Sequence, residues 1–362
     1  MNILCIEYEP SSKRGGQEKS YLDIIEGLVK NDCQVTLFYV KKGDLLFKYH
    51  NLGVKSIQIK AINIIKKSSA TEWYNFIYSF LKILFTDRFD SIYVNQIMDI
   101  PLACLVKFFQ KKGKLVCHLR LPPLGYDLKA KNNQLGILIK FVDQFITANN
   151  NMKKEHIISG IPSHKISVIF NGFWFDRFTF HLQKSVSHPL KIIYIGRISE
   201  EKGIHEAIEG LSLYQEHFVF DIAGVCMNDQ HEIYKNLLLN LAKEKKIKNN
   251  IRFIGHVADP VSHISHYDIC IFPSIWNEPF GRVLVESIVA GVPVIAKNVG
   301  AIREILNDPK GEWTYENYSE IADLLHKFVK NPYAYAISDR QKYIRSKYDL
   351  NKISKEIAEV MS

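Results

Sequence analysis

The chain has 362 residues, a length that predicts about two domains at roughly 150 residues per domain. Hydrophobic residues make up 47% and charged residues 23%, which is ordinary for a globular protein and excludes disordered, collagenous and fibrous chains. The formal net charge of +9 is uneven: residues 1–188 hold 26 Lys and Arg against 15 Asp and Glu, whereas residues 189–362 hold 21 against 23. A basic half suits nucleic acid, an anionic membrane or an acidic substrate, and charge alone does not choose among them.

The first half of the chain alternates short apolar runs with helical patterns. An apolar run at 3–6 leads into a polar loop with Gly15 and Gly16, and a helical pattern of apolar residues starts at Tyr21. Further strands are predicted at 35–40, 91–94, 115–118, 145–148 and 167–170, with helices near 72–85, 101–110, 135–142 and 152–158. This alternation of strand and helix is typical of a parallel sheet.

The second half repeats the alternation after a break. Residues 171–189 show no clear period, and we place a linker at 173–189. Strands are then predicted at 191–195, 218–223, 251–254, 269–272 and 292–296, and helices near 204–215, 231–246, 284–290 and 318–330, with one or two helices in the tail 332–362. The sequence therefore predicts an α/β protein of two Rossmann-like domains, 1–172 and 190–344, with ligands at the carboxyl ends of the strands.

The cysteines and the apolar runs bear on the compartment. The six cysteines are scattered without a CxxC pair, which argues against a zinc site or a disulfide framework and for a reduced, cytoplasmic setting. Glu7 and Glu9 interrupt the apolar start, so we expect no signal peptide. The longest apolar runs, around 76–85 and 100–109, carry Lys82 and Lys107 and fall short of the roughly 18 residues of a membrane span. We expect a cytoplasmic chain that at most lies on the inner surface of the membrane.

The densest chemical signal follows the strand predicted at 269–272. Pro279 and Gly281 keep Glu278 out of a helix, so Glu278 lies at the end of the strand, and a helix that starts at 280–282 places Glu286 about one turn in. The first amides of that helix suit a phosphate, whereas the two carboxylates suit hydroxyls, such as those of a sugar and a ribose. The alternative is structural: Glu278 caps the helix and Glu286 is a solvated helix residue.

A second signal lies in the loop after the strand at 191–195. Arg197 and Lys202 stand in this βα loop, where an α/β sheet binds ligands. Two cations beside helix N-termini would hold a diphosphate and stabilise its charge as it leaves. The alternative is a solvated, charged loop without a ligand.

Taken together, these motifs resemble those of a known enzyme family. The arrangement is similar to the retaining glycosyltransferases of family 4, also called group 1, strongly over 193–306 and diffusely before it. The residues that carry the resemblance are Gly196-Arg197 with Lys202-Gly203, Glu278-Pro279-Phe280-Gly281 with Glu286, Ala290-Gly291-Val292-Pro293-Val294-Ile295, Phe170-Asn171-Gly172 with Asp176 and Phe178, and Gly15-Gly16-Gln17-Glu18. The resemblance implies the GT-B architecture: two Rossmann-like domains that face a central cleft, and a C-terminal helix, here about 345–362, that crosses back to the first domain.

The resemblance also implies roles for the matching residues. Arg197 and Lys202 would hold the diphosphate of a nucleotide sugar, Glu286 would accept the ribose hydroxyls, and Glu278 would position the donor sugar. Backbone amides and a loop glycine would complete the donor site, at Gly16, Phe280, Gly281, Val283 and Leu284. His118 ends the strand at 115–118 and matches a family histidine near the transferred sugar, with a hydrogen-bonded structural histidine as the alternative. The predicted catalytic residues are therefore Glu278, Lys202, Arg197 and His118.

Three departures from the family pattern stand out. Gly224-Val225-Cys226 lacks the acidic or second glycine residue often found there, which bears on recognition of the base. Asp176 comes later after Gly172 than the usual spacing. Ala301 follows Gly300 where two glycines are common, and we expect the alanine to be tolerated.

The chain contains no Asp-x-Asp sequence, which argues against a diphosphate held by a metal ion. No metal or other cofactor is then expected, and cations with helix dipoles would stabilise the leaving nucleotide diphosphate. The resemblance implies retention, with the acceptor hydroxyl attacking from the face of departure and its proton passing to the leaving phosphate oxygen. The two carboxylates would bind hydroxyls rather than act as the acid and nucleophile of a glycosidase.

The sequence thus predicts a hexose-type transfer from a UDP- or GDP-sugar to a hydroxyl of a glycan, glycolipid or small molecule, in the biosynthesis of a cell-surface polysaccharide or glycoconjugate. One alternative is a nucleotide-sugar epimerase of the same architecture. Another is a basic nucleic-acid-binding protein, although neither a recognition module nor clustered basic and aromatic residues are found. The basic first half predicts a phosphorylated, lipid-linked or otherwise anionic acceptor, or docking on an anionic membrane.

Overall fold

The structure is a computed structural model that describes residues 1–12, 16–64, 68–111, 113–123, 128 and 134–362. The chain divides into two compact units. The first comprises Met1–Trp174 together with Tyr348–Ser362, and the second comprises Phe175–Lys347. Each unit is built on one sheet in which every strand pair is parallel.

Seven strands form the sheet of the first unit: β1 Asn2–Glu7, β2 Gln34–Tyr39, β3 Lys55–Gln58, β4 Ser91–Val94, β5 Lys114–Leu119, β6 Gln144–Thr147 and β7 Ile166–Val168. The helices of this unit are α1 Gly16–Lys30, α2 Leu46–Asn51, α3 Ala70–Leu84, α4 Ile100–Gln110, α5 Gln134–Leu138, α6 Asn150–Ser159 and, at the C-terminus, α14 Leu350–Met361. The spatial order is β3-β2-β1-β4-β5-β6-β7. The order of the strands therefore reverses between β1 and β4, where an α/β sheet opens a crevice at its carboxyl edge.

Both faces of this sheet are buried, which explains why its strands are nearly continuous apolar runs. One core lies between the sheet and α3 with α4, and it contains Phe76, Phe80 and Val106. The other core lies under α1 and α14, and it contains Tyr21 and Ile353. The C-terminal helix is thus part of the core of the first unit.

Six strands form the sheet of the second unit: β8 Leu190–Ile195, β9 Phe218–Ala223, β10 Ile251–Gly255, β11 Ile269–Phe272, β12 Val294–Lys297 and β13 Thr314–Tyr315. Its helices are α7 Ile204–Leu211, α8 Asp229–Glu244, α9 Pro260–Ile264, α10 Arg282–Val289, α11 Ile302–Ile305, α12 Glu320–Lys330 and α13 Ile337–Tyr348. The spatial order is β10-β9-β8-β11-β12-β13. The order reverses between β8 and β11, and these are the two strands that precede the charged motifs of the sequence.

The sequence prediction missed several short elements. Strands β3 and β13 went undetected. β3 contains only exposed and partly buried residues, so it lacks a buried apolar run, and β13 has only two residues. Three short helices, α2, α9 and α11, were also missed. The predicted helix 135–142 ends early: α5 stops at Leu138 and a 3-10 turn covers Ile139–Phe141. These pieces are too short for a helical or strand period to emerge.

The linker predicted over 173–189 is not a free segment. Phe173 and Trp174 are buried in the first unit, where the Phe173 amide donates to the Tyr348 carbonyl at 2.8 Å. Residues from Phe175 onward belong to the second unit, in which the amide of His181 donates to the Val289 carbonyl at 3.0 Å. The boundary between the two units falls between Trp174 and Phe175, inside the predicted segment.

None of the helices that the structure describes combines the length and the apolar character needed to cross a bilayer.

Candidate functional site

The loop after β8 lies against the loop after β11 because of one glycine. Gly203 has a φ of +64°, and a Cβ at this position would overlap the carbonyl oxygen of Pro273. Only glycine combines this backbone conformation with so close an approach. The contact brings Lys202, at the end of the 3-10 turn Glu200–Lys202, to the residues that follow β11.

Lys202 and Glu278 form an ion pair at this junction of the two loops. The Lys202 ammonium donates to Oε1 of Glu278, and the Ser274 hydroxyl donates to the same oxygen at 2.8 Å. Their side chains are 17% and 8% exposed, so both charges are largely withdrawn from water and depend on each other for stabilisation. Two residues that the sequence assigned to different motifs are therefore one cluster.

Arg197 lies at the open side of the same loop. Its guanidinium Nη2 is 3.3 Å from Oε1 of Glu201, and both side chains are partly exposed. The Ser199 hydroxyl donates to that oxygen at 2.7 Å. Burial by itself would raise the pKa of Glu201, but the hydrogen bond from Ser199 and the charges of Arg197 and Lys202 outweigh it, so the pKa is lowered. Glu201 is thus held as a carboxylate beside the two predicted diphosphate ligands.

The backbone of Glu201 also ties the two loops together. Its carbonyl oxygen accepts from the amides of Ile275 and Trp276, both at 3.1 Å. Sequence reasoning missed Glu201 and Ser274 as site residues. One feature of the sequence does indicate them: both residues lie in the loops after β8 and β11, and the motifs assign these loops to the site.

Helix α10 begins at Arg282, within the predicted start of 280–282. Gly281 precedes it with a φ of +68°, and Phe280 is buried. Glu286 lies one turn into the helix, with its Oε1 3.9 Å from the Nε of Arg282. The Leu284 amide donates to the Gly281 carbonyl at 3.0 Å, so this predicted phosphate donor already has an acceptor in the helix cap. Val283, whose amide is also a predicted phosphate donor, precedes Leu284 in the same first turn.

Gly300, after β12, completes the packing around Glu278. Its φ is +57°, and a Cβ there would meet the carbonyl oxygen of Glu278 at 2.6 Å. Ala301 has a φ of −97° and is buried, and its amide donates to the Glu278 carbonyl at 3.5 Å. Alanine is therefore accommodated at 301, as expected, because only position 300 requires glycine.

His118 lies on β5 in the first unit and is fully buried. Its Nδ1 is 2.7 Å from the Tyr93 hydroxyl, and its Nε2 has no hydrogen-bond partner among the residues that the structure describes. Burial first, and then the charge of Arg120, hold the pKa of His118 well below its usual value. This neutral, enclosed imidazole fits the structural alternative for His118, and its catalytic role stays a prediction.

Arg120 follows β5 and organises a buried polar network that the sequence did not indicate. Its Nε donates to Asn95 at 2.8 Å, and its Nη1 donates to Ser20 at 3.0 Å and to Asn171 at 2.6 Å. Asn171 belongs to the segment 170–172, which carries part of the resemblance to the family. Its side chain accepts from Arg120 and so fixes this arginine at the carboxyl edge of the first sheet.

The carboxyl edge of the first sheet is acidic where its strand order reverses. Glu7 at the end of β1, Glu18 in α1 and Asp99 after β4 are each less than a tenth exposed and line a small polar cavity. Tyr8, Gln17, Asn95 and Gln96 complete its lining. Gly16, the predicted loop glycine, is the first residue of α1, whereas Gly15 lies outside the described residues.

Within the described part of the chain, no group of three or more His, Cys, Asp or Glu side chains is arranged to hold a metal ion. In the second unit, the buried carboxylate of Glu278 is paired with Lys202 and shortly precedes the start of α10. Arg197 lies in the same loop as Lys202 and is paired with Glu201. Such a set can bind a phosphate-bearing, hydroxyl-bearing molecule.

Two family models match the chain. The model "Glycosyl transferases group 1" matches residues 178–349, and the model "Glycosyltransferase Family 4" matches residues 14–177. An uncharacterised glycosyltransferase, MJ1607, of Methanocaldococcus jannaschii is 24% identical, with 99% of this chain and 97% of that protein covered. The O-antigen biosynthesis glycosyltransferase WclY of Escherichia coli is 25% identical, over 89% of this chain and 87% of that protein.

Solved structures share the fold of the whole chain. The Anabaena protein Alr3699/HepE, in complex with UDP and glucose, superposes with a TM-score of 0.81 at 20% identity and 99% coverage of both chains. The lipopolysaccharide outer core galactosyltransferase WaaB superposes with a TM-score of 0.76 at 17% identity, with 99% of this chain and 98% of that chain covered. The predicted class, two Rossmann-like domains of the GT-B type, is confirmed.

Proposed function

Because this chain belongs to the group 1 glycosyltransferases, we propose that it transfers a hexose-type sugar from a UDP-sugar to an acceptor hydroxyl, with retention of the anomeric configuration and without a metal ion. The observation that carries the proposal is the junction of the two loops after β8 and β11. There Lys202 is paired with Glu278, and α10 begins at Arg282 in the same loop as Glu278. Arg197 is paired with Glu201 in the loop that carries Lys202. Cations and helix amides suit a diphosphate, and a buried carboxylate suits sugar hydroxyls.

The charges of the junction support a division of roles. Lys202 carries three N–H donors, so it can keep its bond to Glu278 and also donate to a diphosphate oxygen. Arg197, which is more exposed, adds a second cation to the negative charge that grows on the leaving group. In the proposed step, the bond from the anomeric carbon to the UDP oxygen breaks as the bond to the acceptor oxygen forms. The acceptor proton passes to the leaving phosphate oxygen.

UDP is the proposed nucleotide because structural relatives of the same fold bind it. The Anabaena protein is described with UDP and with UDP-glucose. We propose that Glu286, one turn into α10, accepts hydroxyls of the ribose. GDP- and ADP-sugars are the comparison donors.

The acceptor proposal rests on the acidic cavity of the first unit. Glu7, Glu18 and Asp99 repel anions but accept hydrogen bonds from hydroxyls. We therefore propose that the acceptor places neutral sugar hydroxyls at the mouth of this cavity, whose volume of about 10 Å³ has room for no more than about one water molecule. The phosphate of a lipid-linked acceptor would lie outside it. The proposed setting is polysaccharide synthesis at the inner face of a membrane. The name of the WclY relative, an O-antigen biosynthesis glycosyltransferase, supports the polysaccharide part of this proposal.

Calorimetry with a panel of UDP-, GDP- and ADP-sugars tests the donor. We expect UDP-sugars to bind and the others to bind at least tenfold more weakly. Binding that persists in EDTA, and NMR detection of a product with the anomeric configuration of the donor, would support metal-independent retention. A donor that is converted to its C2 epimer without an acceptor would instead identify an epimerase.

A further inference from the structure

The outer side of α3 and α4 in the first unit carries a concentration of exposed aromatic side chains. Helix α3 buries Phe76, Phe80 and Ile83 against the sheet, yet its opposite face is also apolar. The exposed residues of this face are Trp73, Tyr74, Ile77, Tyr78, Leu81 and Phe85. An ordinary surface helix has one apolar stripe and a polar outer face, so α3 departs from that pattern.

Helix α4 and the turn after α5 continue this surface. Phe108 and Phe109 are 72% and 53% exposed at the end of α4. The ring of Phe109 lies 5.1 Å from that of Phe80, which joins the two helices. Phe141 is 55% exposed, and its carbonyl accepts from Lys107 of α4 at 3.0 Å. We name the exposed apolar residues of α3 with Phe108, Phe109 and Phe141 the α3–α4 surface.

Lysines flank the α3–α4 surface. The Lys60 ammonium lies 5.1 Å from the ring centre of Tyr74 and 4.6 Å from that of Tyr78. The Lys82 ammonium lies 5.8 Å from the ring centre of Tyr78. Lys111 directly follows α4 and is exposed. Glu72, the acidic residue of the first turn of α3, is engaged in the capping box with Ser69.

The charge of the whole chain is concentrated in the unit that bears this surface. Divided at the boundary of the two units, the first holds 26 Lys and Arg against 17 Asp and Glu, and the second holds 21 against 21. The net charge of +9 thus belongs to the first unit.

We propose that the α3–α4 surface docks on the headgroup region of an anionic phospholipid bilayer. Trp and Tyr place an apolar ring in the boundary of the acyl chains and a polar tip in water. Flanking lysines attract anionic lipids, each by about fivefold in affinity near the surface. The net charge of +9 of the unit that bears this surface, with lysines at the flanks, favours an anionic bilayer over a protein partner.

This inference deepens the membrane part of the proposed function and is independent of the donor chemistry. Helices α3 and α4 belong to the first unit, whereas the loops proposed to bind the donor belong to the second. A chain that binds vesicles without binding UDP-sugars would refute the donor proposal alone. A chain that binds UDP-sugars but no vesicles would refute docking alone.

Co-sedimentation of the full chain with vesicles tests docking. We expect binding to phosphatidylglycerol–phosphatidylethanolamine vesicles, at least tenfold weaker binding to phosphatidylcholine vesicles, and weakening by salt. The variant W73Q/I77Q/L81Q should bind at least tenfold more weakly, and K60Q/K111Q about 25-fold more weakly at about fivefold for each lysine. The control I233Q/L237Q removes two similarly exposed residues of α8 and should bind as the parent chain does.

Three further readouts decide the outcome. Every variant should keep the circular dichroism and the UDP-sugar affinity of the parent chain, which excludes misfolding as the cause. Tryptophan emission should shift to the blue on vesicle binding, and W73F should lose most of the shift while it still sediments. Equal binding to both kinds of vesicle, unchanged binding of the triple variant, or a dimer that this variant dissociates would overturn the proposal.

Discussion

The ion pair of Lys202 and Glu278 allows stability and chemistry to be tested separately. Removing one partner of a fully buried pair costs about 3–5 kcal/mol, because the other charge is left desolvated. With side chains 17% and 8% exposed, solvent relieves part of this penalty, and we expect about 2 kcal/mol for Lys202→Met. Glu278→Gln should cost a similar amount, since the amide oxygen still accepts from Ser274. Glu278→Leu should cost about 1 kcal/mol more, because that hydrogen bond is lost as well.

The double variant K202M/E278Q leaves no unpaired charge. Its loss of stability should therefore be at least about 1 kcal/mol smaller than the sum of the two single losses, as is found for residues in direct contact. Urea unfolding, with the slope checked for constancy, measures these differences. The difference between the summed single losses and the loss in the double variant is the coupling energy, which measures how much the interaction of Lys202 with Glu278 contributes to folding stability.

Transfer should behave differently from stability. Each single variant should lower the rate of UDP release from the UDP-sugar at least a hundredfold, or about 2.7 kcal/mol in the barrier, because each removes a group aimed at the donor. The double variant should stay as slow as the slower single variant. Strictly additive losses of stability, or UDP release at the parent rate in either single variant, would refute the reasoning.

Three other predictions follow from the same structure. Glu286→Ala should raise the Kd of UDP at least tenfold in calorimetry with little change in melting temperature, and an unchanged Kd would remove Glu286 from the ribose site. Gly203→Ala should lower donor affinity at least tenfold by overlap with the loop after β11, whereas Gly53→Ala, at φ +75° with nothing within 4 Å, should cost only about 1 kcal/mol of stability and leave donor binding intact. Burial lowers the pKa of His156 to about 4 despite its hydrogen bond to the Leu121 carbonyl, so the unfolded chain binds a proton that the folded chain does not between pH 6.5 and 4. Stability should fall by about 3 kcal/mol as the pH drops through this window, and His156→Gln should flatten that slope by one proton in pH-dependent unfolding.

The sequence by itself determined the fold class and identified the loops that carry the charged motifs. Long apolar strands buried on both faces of a sheet have a local signature, so strands such as 218–223 and 269–272 were predicted with the bounds that the structure has. The loops after such strands carry Arg197, Lys202 and Glu278, and Glu286 lies in the helix that follows one of these loops. The carboxyl ends of the strands are where an α/β sheet places its ligand residues. These features depend on local order along the chain.

Only the tertiary structure decided which of these groups meet. The bond of Lys202 to Glu278 spans 76 positions of sequence, and it depends on the strand order that makes β8 and β11 neighbours. Burial of His118, the network of Arg120 and the absorption of residues 173–189 into the two units likewise result from contacts between distant segments. The exposed second face of α3 is a further example. The sequence shows that a residue is apolar, but only the tertiary structure shows whether another element covers it.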